Sequence, residues 1–451
     1  MAEIIDFIKK RRPIPVLYGM FAAKAFAIIL LLALLPLFPA YGENYPYRND
    51  FLWVTTPDHG DWLYQTGERA KVEVQLFKYG IPCDVEVNYS IGGDMLPADK
   101  TGKVMLRHGR ATIDMGTSNT PGFRDLRLTA QVDGAITQHH VKVGFSPEKI
   151  VPFTKEPKDF SDYWRRTVED NRKTPMNYTR ERVEELCDDD QDTYLVKLKV
   201  DRRHWLYAYL LIPKNARQGA HPVVLTPPGA GVKTIKEVHT RTYYQQEGMI
   251  RLVTEIHGLR PTLDEKDFDD VRSAFSEYLE MGIDNPDHYY MRHVYLGLVR
   301  CIDFLCSLPE WDGRNVAVVG GSQGGALAIV TAALDPRVTL CVANHPALSD
   351  MAAGSTGGTS GYPHFKEAFY TEANMRTMAY YDVVNFARHV TCPTFLTWGF
   401  NDDTCPPTTS YAVWNTLKCE KESLVTPVNE HWTSDATNRL QMEWIKKRLK
   451  P

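Results

Sequence analysis

The segment Asn315-Val-Ala-Val-Val-Gly-Gly-Ser-Gln-Gly-Gly325, followed by Ala326-Leu-Ala-Ile-Val-Thr-Ala-Ala-Leu334, constrains this chain more than any other. An apolar strand runs into a glycine-rich turn, and a helix-forming run leaves it. At the turn stands G-x-S-x-G, as Gly320-Gly321-Ser322-Gln323-Gly324. The pentapeptide alone says little. Between a strand and a helix it reads as a nucleophile elbow, the strained turn that lifts a serine Oγ clear of a parallel sheet. Glycines are needed on either side because side chains there would collide with the neighbouring strand and helix. A phosphate-cradling loop would end in Lys-Ser/Thr, which this turn lacks.

A serine nucleophile needs a base, and the base needs an orienting acid. In a doubly wound sheet with this elbow, acid and then histidine follow the serine along the chain. The histidines after Ser322 are His345, His364, His389 and His431. The acid expected at a strand end lies in Gly399-Phe-Asn-Asp402-Asp403, after the apolar run Thr394–Trp398, and only His431 follows it. Asp402 and His431 are therefore the expected acid and base, with Asp403 as the alternative acid. His431 would take the serine proton and return it to the leaving group. Asp402 would hold the imidazole in the right tautomer and stabilise its charged form. The oxyanion calls for two backbone donors. One is the N–H of Gln323; the other comes from Thr226-Pro227-Pro228-Gly229-Ala230-Gly231, where the prolines have no N–H. That leaves Gly229, Ala230 or Gly231, and Ala230 is the favoured donor.

The surroundings suit such a site. Apolar strand candidates fall at Trp205–Ile212, Val223–Thr226, Ile250–Ile256, Asn315–Val319, Val338–Ala343, Thr394–Trp398 and Ser423–Pro427. An amphipathic helix carries Val294, Leu298, Cys301, Leu305 and Leu308 at helical spacing. Apolar strands alternating with helices predict the α/β class, a mainly parallel sheet covered on both faces, here the α/β-hydrolase fold. The acidic run Asp188-Asp189-Asp190-Gln191-Asp192 lacks calcium-loop spacing and reads as a solvated loop.

At 451 residues the chain is too long for one core. Residues 1–42 read as a secretory signal peptide: Lys9-Lys10-Arg11-Arg12, an apolar run densest over Phe26–Leu35, and small residues at Ala40 and Gly42, with cleavage expected after Gly42. An uncleaved membrane anchor is the competing reading; either exports the rest to the periplasm, cell surface or medium. Residues 43–146 alternate polar and apolar, as in Lys71-Val-Glu-Val-Gln-Leu76, Asp84–Tyr89, Asp125–Val132 and His140–Val143. Turn residues punctuate the runs, and a small immunoglobulin-like β-sandwich fits them. It reads as a packing or spacer module, with sugar binding through Trp53 and Trp62 as the alternative. A proline-marked linker, 147–158, leads to the catalytic domain, 159–451, which opens with a helix over Asp159–Arg172. Eight cysteines show no paired framework, although a Cys405–Cys419 bridge is compatible with an oxidising compartment. A formal net charge of −4 gives no electrostatic reason to expect nucleic acid or an anionic membrane as a partner.

The residues over Met281–Asp350 resemble the acetylxylan esterase and cephalosporin C deacetylase family (carbohydrate esterase family seven). The resemblance rests on Gly282-Ile283, Tyr289-Tyr290-Met291-Arg292, Ser307-Leu-Pro-Glu-Trp-Asp312, Gly320-Gly-Ser-Gln-Gly-Gly325 and Ala333-Leu-Asp-Pro-Arg337. Asp402-Asp-Thr-Cys405-Pro-Pro407 is similar to the family's Asp-x-x-Cys-Pro-Pro and selects Asp402 over Asp403. The similarity covers roughly residues 150–451 and leaves the sandwich outside. It implies hydrolysis of acetyl esters on oligo- or polysaccharides, without metal or cofactor, often in homo-oligomers. Departures fall on the pocket: Pro228-Gly229-Ala230 replaces His-Gly-Tyr, His257-Gly258-Leu259 replaces Arg-Gly-Gln, and Trp432 follows the histidine where the family has glutamate. A general short-chain carboxylesterase or peptidase-like hydrolase is the alternative within the fold. A non-catalytic glycan-binding protein is the alternative outside it.

Overall fold

A computed structural model describes residues 49–450 except Lys236, Glu237, His239 and Thr242. The expected signal peptide and its cleavage point lie outside the described residues. Among the described residues no helix is long and apolar enough to cross a membrane. The chain divides into two compact units, and the described part of the smaller is residues 49–52 and 78–81. All contacts below lie within the larger, residues 53–77 and 82–450.

The N-terminal region forms strands β1 (Phe51–Pro57), β2 (Leu63–Tyr64), β3 (Ala70–Lys78), β4 (Ile81–Pro82), β5 (Glu86–Gly93), β6 (Ala98–Met105), β7 (Arg110–Gly116), β8 (Gly122–Val132) and β9 (Ala135–Phe145). One sheet runs β2-β9-β8-β5-β6, and β3 pairs antiparallel with β7 in a second. Alternation gives β3 and β8 an inner face: Val72, Val74 and Leu76 on β3 and Leu126, Leu128 and Ala130 on β8 are buried. On β9 the alternation fails, because Val141 to Phe145 are all buried, Lys142 included. Trp53 donates to Thr137 Oγ1 at 2.9 Å, and the partly buried Trp62 packs on the main core.

A nine-stranded sheet follows: β10 (Tyr178–Arg182), β11 (Gln191–Lys199), β12 (Trp205–Pro213), β13 (His221–Thr226), β14 (Ile250–Thr254), β15 (Trp311–Gly321), β16 (Leu340–Asn344), β17 (Thr394–Gly399) and β18 (Lys421–Thr426). Their order is 10-11-12-14-13-15-16-17-18. The first three pairings are antiparallel, and the six strands from β14 to β18 are parallel. With β10 set aside as an extra edge strand, this is the strand order of an α/β-hydrolase. The helices Tyr290–Leu305 and Gln323–Leu334 are buried along most of their length in the main core.

Four points depart from the sequence reading. Strands β10 and β11 are too polar in sequence to announce themselves. The acidic run is only partly a solvated loop: Gln191 is wholly buried at the start of β11, and Asp192 pairs with Arg182 and Lys214 at 2.7 and 2.6 Å. Cys405 and Cys419 are free thiols, as are the other six cysteines, and Cys405 is wholly buried. The segment 147–158 is also more than a spacer. The Phe153 and Thr154 amides donate to Asp350 at 2.9 and 2.7 Å, and Asn415 donates to the Pro147 and Ile150 carbonyls.

Candidate active site

The carboxyl ends of the parallel strands converge on a cavity of about 370 Å³, walled by Ser322, His431, His345, the Pro227–Gly229 turn, Gly231 and Glu255 among others. Ser322 follows β15 and caps the next helix at φ 59°, ψ −125°, a conformation that costs a non-glycine residue of order 1–3 kcal/mol. The surroundings hold it there. Its N–H donates to the Asn344 carbonyl at 3.0 Å, and its own carbonyl accepts from Ala326 at 3.0 Å and Ala347 at 3.1 Å. A Cβ on Gly320 would fall within 2.3 Å of the Gly324 backbone, and one on Gly324 within 2.6 Å of the Pro227 carbonyl oxygen. The glycines of the motif thus let strand, helix and the Pro227 turn approach one another.

His431 Nδ1 lies 2.8 Å from Asp402 Oδ2, and Asp402 is wholly buried. The other carboxylate oxygen of Asp402 accepts from the Thr404 and Cys405 amides, each at 2.8 Å. With Nδ1 engaged, the Nε2 edge of His431 is left for the cavity that Ser322 also lines. The acid and histidine loops are laced together: the Phe400 and Asn401 amides donate to the Pro427 and Asn429 carbonyls at 3.2 and 3.1 Å. A Cβ on Gly399 would stand 2.0 Å from that Asn429 oxygen. Asp403, the alternative acid, turns away from His431 and binds Lys142 and Arg127. Of the other histidines, His364 meets the Thr404 carbonyl and His389 meets Glu156.

The two expected oxyanion segments face each other across Tyr278. The Gly231 amide donates to the Tyr278 hydroxyl at 3.3 Å, and that hydroxyl donates to Gln323 Oε1. Gly231 is thereby engaged, which leaves Gly229 and Ala230 as the candidate donors from that loop. Gly229 lines the cavity, whereas Ala230 and Gln323 are not among its lining residues.

Sequence reasoning passed over several neighbours. His345, after β16, sets its ring 4.4 Å from that of His431. Burial, helped by His431, pushes its pKa down to about 4, so it is neutral across the physiological range. His257 is likewise held down to about 4 by burial, with Nδ1 2.8 Å from the Tyr290 hydroxyl. Burial raises the Glu255 carboxyl to about 7 against the pull of four backbone amides. His345, Asp402 and His431 could offer ligand atoms within 4.8 Å of one another, but both Asp402 oxygens already serve His431 and the loop amides. Asp125, His140 and Asp403 form a second such group, beside the cations Lys142 and Arg127.

Residues 148–448 match the acetyl xylan esterase family (AXE1), a span of well over half the chain. The chain belongs to the acetyl xylan esterase family. It is 57% identical over 416 residues to the acetyl esterase Axe7A of Xylanibacter ruminicola, covering 91% of this chain and 94% of that protein. Among solved structures it is similar to an acetyl xylan esterase from Paenibacillus sp. R4, at 24% identity and a TM-score of 0.58. Acetyl xylan esterase 1 from Thermoanaerobacterium sp. JW/SL YS485 is similar at 22% identity, again with a TM-score of 0.58. Each likeness covers 67% of this chain and 98% of the other, and shows the shared α/β-hydrolase fold. As a member of this esterase family the protein is a carboxylic ester hydrolase.

Proposed function

We propose that the protein is an exported esterase that removes acetyl groups from xylan or a related polysaccharide through a Ser322–His431–Asp402 triad. The observation that carries the triad is the 2.8 Å bond from His431 Nδ1 to the buried Asp402, on an imidazole that shares a cavity with the strained Ser322. His431 Nε2 takes the proton as Ser322 Oγ adds to the acetyl carbonyl. The carbonyl oxygen, now negative, accepts from the Gln323 amide and from Gly229 or Ala230. Collapse expels the sugar hydroxyl, which recovers the proton from His431, and leaves an acetyl-serine. Water attacks that ester by the same route and releases acetate. Asp402 keeps its charge throughout and steadies the imidazolium.

The sugar-acetate assignment is supported by family membership and by the acetyl esterase relative. Export is supported by the basic-apolar-small pattern of residues 1–42. The test is acetate release from acetylated xylo-oligosaccharides by wild type and Ser322→Ala. Release by wild type alone, with the variant down on the order of 10⁶-fold, is expected. Rates that climb from acetyl to longer acyl esters would replace the assignment with a general short-chain carboxylesterase.

A further inference from the structure

Lys142 sits on β9 between Val141 and Val143, where alternation predicts a cation in water, yet its side chain is 0% exposed. Its ammonium lies 2.9 Å from Asp94 Oδ1 and 2.7 Å from Asp403 Oδ1, and it donates to the Asp402 backbone carbonyl at 2.8 Å. The Lys142 amide donates to Asn401 Oδ1 at 2.9 Å. On neighbouring β8, Arg127 binds Asp403 at 2.8 Å and Asp125 at 2.6 Å, and Phe123 packs edge-on against Phe400 with centroids 4.9 Å apart. Four consecutive residues of the acid loop, Phe400 to Asp403, are thus each held by β8 or β9.

Burying an ammonium costs several kcal/mol unless it is well paired. Burial here would lower the Lys142 pKa, but Asp94, Asp403 and Asp125 outweigh it and raise it, so the cation persists at neutral pH. The family match begins at residue 148, so this cation comes from outside the catalytic domain shared with the family. Downstream, the Asp402 carboxylate is fixed by the Thr404 and Cys405 amides; the Asp402 peptide itself is fixed by Lys142.

We propose that Lys142 is a positioning residue, through which the N-terminal sandwich sets the Asp402 loop and hence the orientation of His431. The proposal rests on Asp402 being the triad acid. Without the lysine, the peptide that carries Asp402 loses that donor, and Asp403 loses one of its two ion pairs among the described residues. A misplacement near 1 Å in catalytic geometry can cost on the order of 10²-fold in rate. A sandwich that only stabilised the fold would change the melting temperature and leave kcat per folded molecule alone.

The test uses full-length enzyme and 4-nitrophenyl acetate, with Lys142→Met, Asp402→Asn and the double variant. Lys142→Met is expected to lower kcat about tenfold or more with KM within about twofold. Asp402→Asn should lose on the order of 10⁴-fold, and adding Lys142→Met to it should cost less than about twofold more, because the lysine acts through the acid. Equal losses in both backgrounds, or Lys142→Met at the wild-type rate, would overturn the proposal. Should Lys142→Met fail to fold, Arg127→Met decides. That half-exposed residue also clamps Asp403, and its loss should lower kcat about threefold in wild type and not in Asp402→Asn; an unchanged kcat in wild type overturns the proposal. Wild-type activity in Asp402→Asn would instead sink the triad. An inactive Asp402→Asn beside an unaffected Lys142→Met sinks only the clamp.

Discussion

Gly324→Ala separates the geometry of the elbow from the chemistry of its side chains. The added methyl would stand 2.6 Å from the Pro227 carbonyl oxygen and 3.3 Å from that of Pro228, and ordinary contact begins at 3.4 Å. The 3.4 Å needed less the 2.6 Å present leaves about 0.8 Å to be found by moving backbone, since neither atom belongs to a flexible side chain. Overpacking of this kind costs about 1–3 kcal/mol of stability. The displaced backbone carries Gly229 and Ala230 on one side and Gln323 on the other, the segments expected to donate to the oxyanion. Moving donors by most of an ångström should lower kcat on the order of 10²-fold, while KM changes little. Ser322, Asp402 and His431 remain in place chemically. The assay is steady-state hydrolysis of 4-nitrophenyl acetate beside a thermal melt, with a serine-directed phosphonate to report whether Ser322 is still reactive. A folded Gly324→Ala enzyme within about threefold of the wild-type kcat would refute the argument that these glycines set the oxyanion site.

Two further expectations concern the neighbours of the proposed triad. Tyr278→Phe removes the hydroxyl shared by Gly231 and Gln323, and should lower kcat by about three- to tenfold at constant KM, with a stability loss of about 1–3 kcal/mol; steady-state kinetics with urea unfolding will show it, and an unchanged kcat would rule it out. His345 binds its proton near pH 4 when folded and near 6.5 when unfolded, so the unfolded state holds more protons between those values. Stability should therefore fall as pH drops through that window, by roughly 2 kcal/mol from pH 7 to 5. Urea midpoints of wild type and His345→Leu should diverge accordingly, with the variant losing most of this pH dependence; parallel curves would count against it.

Much of the catalytic architecture is legible because strong local rules act there. A serine lifted from a strand end needs glycines around it, and parallel strands need apolar runs, so β12 to β18 were placed to within a few residues. Chain order after the elbow left His431 as the one histidine beyond the expected acid. Legibility stops where the pattern depends on what covers it. Polar β10 and β11 join the sheet through antiparallel pairing with each other and with β12, which composition does not announce. His345 is set apart from the other histidines only by the ring contact with His431, made between the segments that follow β16 and β18.

By itself, the sequence determined the fold class, the elbow at Ser322 and the order of its partners, because each follows from short-range sterics and periodicity along one stretch of chain. Only the tertiary structure shows that Asp402 meets His431 while Asp403 meets Lys142, since both sit on one loop and what differs is which neighbour each side chain reaches. It also decided the fate of Lys142. Alternation along β9 gives the lysine an outward face, and whether that face meets water or the Phe400–Asp403 loop is settled by residues some 260 positions away. Burial is a property of two surfaces, and a local sequence pattern describes one of them.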